Sequence, residues 1–125
     1  MTTFLFGGCS CGRIRFKVNG QPILIAACHC NDCRRHTGTP VAVYVDVQAT
    51  QLEILGEPID WFETSPGAQR GFCCHCGATL AFRGSNLPTE VHIHVGAFDE
   101  PATLSPVQNE MVGPRMPWLS FLASD

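Results

Sequence analysis

Eight cysteines in a chain of 125 residues, gathered into three short groups, constrain this fold more than any other feature. The first group is Cys9-Ser10-Cys11-Gly12, the second Cys28-His29-Cys30-Asn31-Asp32-Cys33, and the third Cys73-Cys74-His75-Cys76-Gly77. One tight turn rarely sets four ligands in good tetrahedral geometry, so a structural metal usually draws two local pairs from separate turns. Cys9 with Cys11 and Cys73 with Cys76 are such pairs. Each is followed at once by a glycine, which lets the backbone turn under an ion without a Cβ clash. A metal clip joining them would tie distant parts of a small fold together.

The middle group differs. Cys28, Cys30 and Cys33 fall within six residues and leave one tetrahedral position without an evident protein ligand. Three protein ligands with an open fourth position mark a catalytic zinc. His29, His75 or Cys74 could fold in and close that site, which would make it structural. Cys74 is expected to point away from its neighbours as a small buried apolar residue. Disulfides are the weaker reading of the set, because pairs as close as Cys28/Cys30 and Cys73/Cys74 rarely meet disulfide geometry.

The rest of the chain predicts a compact, mainly β single domain spanning 1–125, with about eight to ten short strands. Twelve glycines and nine prolines interrupt the sequence too often for long helices. Ile14, Phe16 and Val18 alternate with Arg13, Arg15 and Lys17, and Val91, Ile93 and Val95 alternate with Glu90, His92 and His94. Both are the period-two signature of a half-buried strand. Shorter apolar runs lie at 23–27, 41–47, 52–55, 61–62 and 79–82, and one short helix fits near Asp32 to Thr37. The segment from Pro101 to Asp125 reads as loop-rich and packed on the body through Val107, Met111, Trp118, Leu119 and Phe121. His92 and His94 share one strand face, where an acid/base or metal-ligating role competes with a plain polar surface.

A net charge of −3 argues against sequence-independent nucleic-acid binding, which needs a basic face. Seven zinc-bound thiolates and two zinc ions would add about −3 more. Seven of the eight basic residues are arginine, whose planar fork suits carboxylates. Arg34 and Arg35 directly follow the middle cysteines and could offset the site's charge, grip a substrate carboxylate, or sit solvated at the surface. Residues Met1 to Gly7 lack the basic and apolar regions of a signal peptide, and no run is long enough to span a membrane. The expectation is a cytoplasmic protein whose cysteines serve metal.

The stretches from Gly7 to Phe16, Cys28 to Arg35 and Phe72 to Gly77, in that order and spacing, resemble the glutathione-dependent formaldehyde-activating enzyme family, which also includes the centromere protein V group. A weaker echo lies at Arg115-Met116-Pro117-Trp118-Leu119. The resemblance implies a β-tent fold with antiparallel sheets around a structural zinc held by Cys9, Cys11, Cys73 and Cys76. It also implies a second, substrate-facing zinc on Cys28, Cys30 and Cys33. The activity implied is that of a carbon–sulfur lyase joining formaldehyde to glutathione, with a small-molecule thiol or aldehyde as partner. The competing expectation is a non-enzymatic β-tent protein acting as a binding or carrier module. Cys74 and His75 depart from the family motif.

Overall fold

The computed structural model of the protein describes residues 3–120. Its strands are β1 (Phe4–Gly8), β2 (Arg15–Asn19), β3 (Leu24–Cys28), β4 (Ala42–Gln48), β5 (Leu52–Ile54), β6 (Asp60–Ser65), β7 (Ala68–Phe72), β8 (Thr79–Gly84), β9 (Glu90–His94) and β10 (Gln108–Glu110). A single α-helix, α1 (Asn31–Thr37), follows β3. The chain is mainly β, as expected. Three strands pair in the order β1-β2-β5, and seven in the order β10-β3-β4-β9-β8-β7-β6. All pairings are antiparallel except that of β10 with β3. Among the described residues, no helix is long and apolar enough to cross a membrane.

Register across the large sheet explains its two faces. Residues directly opposite on neighbouring strands share a face. One row therefore runs Ile25–Val45–Ile93–Ala81–Gly71–Trp61. The adjacent row runs Leu24–Asp46–His92–Phe82–Arg70–Phe62 on the opposite face. The first row joins the main core, where Phe16 and Val18 of the small sheet, with Ile14 just before β2, meet Val45, Val47, Leu80, Val91 and Ile93. The alternation at 14–18 thus points inward as expected, with Phe16 set edge-on to Phe98 at 5.3 Å between ring centroids. Phe16→Ala should cost about 3–5 kcal/mol, from lost burial plus the cavity left behind. Denaturant unfolding at fixed zinc concentration checks it.

The second row is where the strand reading needs correction. His92 is only partly exposed and His94 is buried, so this face of β9 is not an open polar surface. It is covered near α1, where Cys33, Ala42 and Tyr44 form a small separate cluster with Cys28, Cys30 and Phe82 packed against it.

The C-terminal segment also differs from expectation. Leu104 is buried, and β10 adds to the edge of β3, but Val107, Met111 and Trp118 stand 62–70% exposed. The segment is held by backbone pairing and Leu104, not by those three apolar side chains. Phe121 lies outside the described residues.

Candidate metal centres

Cys9 and Cys73 sit at matching positions in two similar turns. After Cys9 the chain reverses through Gly12 (φ 83°), with the Gly12 N–H donating to the Cys9 carbonyl and the Cys9 N–H to that of Ile14. After Cys73 it reverses through Gly77 (φ 76°), with the Gly77 N–H donating to the Cys73 carbonyl and the Cys73 N–H to that of Ala78. Both turns use glycine's left-handed freedom. The turns bring the Sγ atoms of Cys9, Cys11, Cys73 and Cys76 within 4.8 Å of one another. Two of the separations are 3.5 Å (Cys9–Cys11) and 3.8 Å (Cys11–Cys73). With metal–sulfur bonds of about 2.3 Å, the edge of a tetrahedron of sulfurs is about 3.8 Å. The four thiols therefore fit one zinc-sized ion. Backbone N–H groups of Ala78 and Cys11 draw the Cys76 thiol down to about 6, favouring the thiolate that a metal needs.

The remaining residues of the third group stay outside this cluster. Cys74 is exposed, contrary to the expectation of a buried apolar residue. Its backbone N–H donates to the Asp60 carboxylate at 2.9 Å, which turns the residue outward at the knuckle's tip. His75 lies against Arg13 (2.9 Å) and Glu57 (3.8 Å).

Cys28, Cys30 and Cys33 also converge, with their Sγ atoms within 4.8 Å of one another. Cys28 ends β3, and Cys30 is the N-cap of α1, its sulfur accepting the Cys33 N–H at 3.2 Å. Cys33 rises from the first helical turn. Asp32 near the start, Arg34, Arg35 and His36 near the end, and Gly38 in the left-handed cap position all suit so short a helix. The histidine between the cysteines points elsewhere, as period-two alternation along an extended chain requires. His29 is buried, and its Nε2 lies 2.7 Å from Asn109 Oδ1 on the C-terminal strand. Neither His29, His75 nor Cys74 joins the three sulfurs, and no other Cys, His, Asp or Glu among the described residues completes that group.

Behind the three sulfurs lies a buried network that no local motif announces. The Tyr44 hydroxyl donates to Cys33 Sγ at 3.2 Å. Arg70 donates through Nη1 to the Tyr44 hydroxyl at 2.7 Å and through Nη2 to Cys33 Sγ at 3.6 Å. The guanidinium also lies over the Phe82 ring at 4.7 Å. Hydrogen bonds from the Cys28 thiol, the Tyr44 hydroxyl and Arg70 pull Cys33 down to about 4, while Cys28 itself is pushed well up. His94 packs on Tyr44 at 4.5 Å between ring centroids, and burial with the nearby Arg70 charge holds it neutral, down to about 4. His92 instead lies between Asp46 and Glu90, so the two histidines do not form a pair. On the outer side of α1, Arg34 and Arg35 line a groove of about 490 Å³ with Thr39, Met116 and Trp118.

Together these features define a small β protein with two unequal thiol groups, one four-sided and one three-sided. Comparison with known proteins narrows the class. Residues 4–113 match the family model of the glutathione-dependent formaldehyde-activating enzymes, and the chain belongs to that family. It is 30% identical over 92 residues to an uncharacterised lyase of Schizosaccharomyces pombe, covering 74% of this chain and 66% of that protein. It is 32% identical over 105 residues to a Halomonas elongata protein named as a candidate glutathione-dependent formaldehyde-activating enzyme, covering 76% and 66%. The match thus spans about two thirds of the length of each relative. A crystal structure of a Rhodobacter sphaeroides protein shares the fold, with TM-score 0.66 and 22% identity over 84% of this chain and 99% of that one.

Proposed function

We propose that this chain is a zinc-dependent enzyme of carbon–sulfur lyase type, acting on adducts of a small thiol with an aldehyde such as formaldehyde. Cys9, Cys11, Cys73 and Cys76 would hold a structural zinc, and Cys28, Cys30 and Cys33 a second zinc at the reacting site. The observation that carries this reading is the three-sulfur group with no fourth ligating side chain among the described residues. Family membership points the same way. Free thiols kept for metal also belong with a reducing, cytoplasm-like compartment.

A zinc ion on three thiolates supplies one position for an incoming thiol and keeps that sulfur in its nucleophilic, deprotonated form. The chain's own residues do the rest. Tyr44 and Arg70 donate to Cys33 and draw charge from a site that would otherwise be strongly anionic. Arg34 and Arg35 sit on the same helix as Cys33 and line a groove, where they would grip the carboxylates of an acidic thiol such as glutathione. In the forward direction the thiol loses its proton and a sulfur–carbon bond forms. The carbonyl π pair moves to oxygen, which takes up a proton to give the hydroxymethyl thioether. The reverse breaks the same bond.

Cys30→Ser tests the assignment, because serine preserves an N-cap acceptor for α1 while removing one sulfur. The expected result is one zinc fewer per chain and a melting temperature within a few degrees of wild type. The enzyme-dependent part of adduct formation from labelled formaldehyde and glutathione, followed by NMR above the spontaneous rate, should vanish. Turnover that survives in Cys30→Ser would overturn the catalytic role of this site.

A further inference from the structure

We propose that Asp46 and His92, with Glu90 orienting the histidine ring, form a divalent-cation site of oxygen-and-nitrogen type, distinct from both cysteine groups. Asp46 and His92 are register partners on β4 and β9, with Glu90 two residues before His92 on the same face. Asp46 is 6% exposed, and its Oδ1 is buried without a hydrogen-bond partner. That oxygen faces His92 Nδ1 at 3.4 Å. On the other side of the ring, Nε2 lies 2.9 Å from Glu90 Oε1. An ionised carboxylate only accepts, so a proton sits on Nε2, while Nδ1 carries either a second proton, making the ring a cation between two carboxylates, or a lone pair open to a metal ion. Either way the buried Asp46 oxygen and Nδ1 need a positive charge between them, a proton or a metal ion, and 3.4 Å is long for a direct N–H···O bond.

The spacing suits a metal ion. Bonds of about 2.0–2.2 Å from zinc to imidazole nitrogen and carboxylate oxygen give a tetrahedral edge of about 3.4 Å. Glu90 then plays the part of the carboxylate that orients a ligating histidine through its far nitrogen. Ligand atoms of all three residues lie within 4.8 Å of one another. A proton, on Asp46 or on His92 Nδ1, is the rival occupant. Burial pushes that carboxyl up to about 6, a charge on His92 opposes the shift, and Glu110 and Glu90 add to it. Mixed carboxylate and imidazole donors select a borderline ion such as Zn²⁺ or Co²⁺ over Ca²⁺ or Mg²⁺.

Equilibrium dialysis of the full chain against buffered Zn²⁺ tests the site. Wild type should carry one zinc more per chain than Asp46→Asn or His92→Gln at the same free zinc. Glu90→Gln should retain the ion with a dissociation constant raised about 10–100-fold. Thiol protection from alkylation, which reports the cysteine-held ions, should be equal in all four proteins. Equal zinc content in wild type and Asp46→Asn across the free-zinc range overturns the site. NMR of the histidine ring nitrogens in wild type gives a reading free of any variant's folding. His92 Nδ1 should shift on zinc addition while Nε2 keeps its proton. A ring that responds to pH but not to zinc holds a proton only, and that too overturns the proposal.

Discussion

Cys73→Ser should abolish the cooperative fold, whereas Cys74→Ser, one residue further on, should leave the melting temperature within a few degrees of wild type. Cys73 is fully buried in the main core, and its sulfur stands 3.8 Å from Cys11, 62 residues away in sequence. The four sulfurs join the turn before β2 to the turn before β8, so an ion among them ties the small sheet to the large one. A structural zinc in a small domain contributes about 10–16 kcal/mol of apparent binding free energy near neutral pH. Net folding stability is only about 5–15 kcal/mol. Losing one ligand, with a serine hydroxyl left in an apolar place, is therefore enough to unfold the chain. Cys74 has no such role, because it is exposed and touches the fold through its backbone N–H. Thermal melts followed by circular dichroism, with zinc counted in each sample, check both halves. A strong chelator should act on wild type as the Cys73 substitution does. A Cys73→Ser protein that melts cooperatively near the wild-type temperature would remove the structural role of this cluster.

The cysteine groups were legible in the sequence because ligand spacing within a turn is local information. The β2 alternation was legible for the same reason: period two along one strand fixes which face is buried, and Ile14, Phe16 and Val18 obey it. The strands β1, β7 and β10 were not read. In β7, Ala68-Gln69-Arg70-Gly71-Phe72 has poor strand propensity. It is held by neighbours on both sides, with Gly71 leaving room for Ile59 and Trp61. Missing β7 meant missing Arg70. Tyr44 lies inside an apolar run, and its hydroxyl's destination depends on α1 folding back over β4. Asp46 was hidden in the same way. Its meaning lies in cross-strand register with His92, which no single-strand pattern carries. His92 and His94 looked like a polar face open to water because alternation reports two faces without saying what covers each.

A seven-residue helix thus carries residues of both the second cysteine group and the neighbouring arginine groove. Its N-terminal turn holds two of the three sulfurs over the sheet, and its C-terminal turn carries the arginines of the groove. The helix is too short to be stable alone. What fixes Cys33 in place is the donor pair beneath it, Tyr44 from β4 and Arg70 from β7, on strands separated in the sheet by β9 and β8.

Arg70→Met should therefore weaken zinc binding at Cys28, Cys30 and Cys33 by about 10–100-fold, the usual effect of losing an outer hydrogen-bond partner of a metal ligand. Methionine keeps much of the apolar contact with Phe82 but removes both donors and the positive charge that faces the Cys33 sulfur. Tyr44→Phe removes one donor at nearly constant volume, so its effect on affinity should be in the same direction and smaller. It should also cost about 1–3 kcal/mol of stability, because a buried guanidinium loses its 2.7 Å partner. Arg70→Lys should fail to restore affinity, since a single ammonium cannot reach the tyrosine oxygen and the sulfur as the planar fork does. Competition with a chromophoric chelator reads the affinity directly, and the four-cysteine ion, held by separate residues, serves as an internal reference in each protein. Turnover should fall with occupancy and recover in part when free zinc is raised. An Arg70→Met protein that retains its second zinc as tightly as wild type would show that the guanidinium only fills space beneath Cys33.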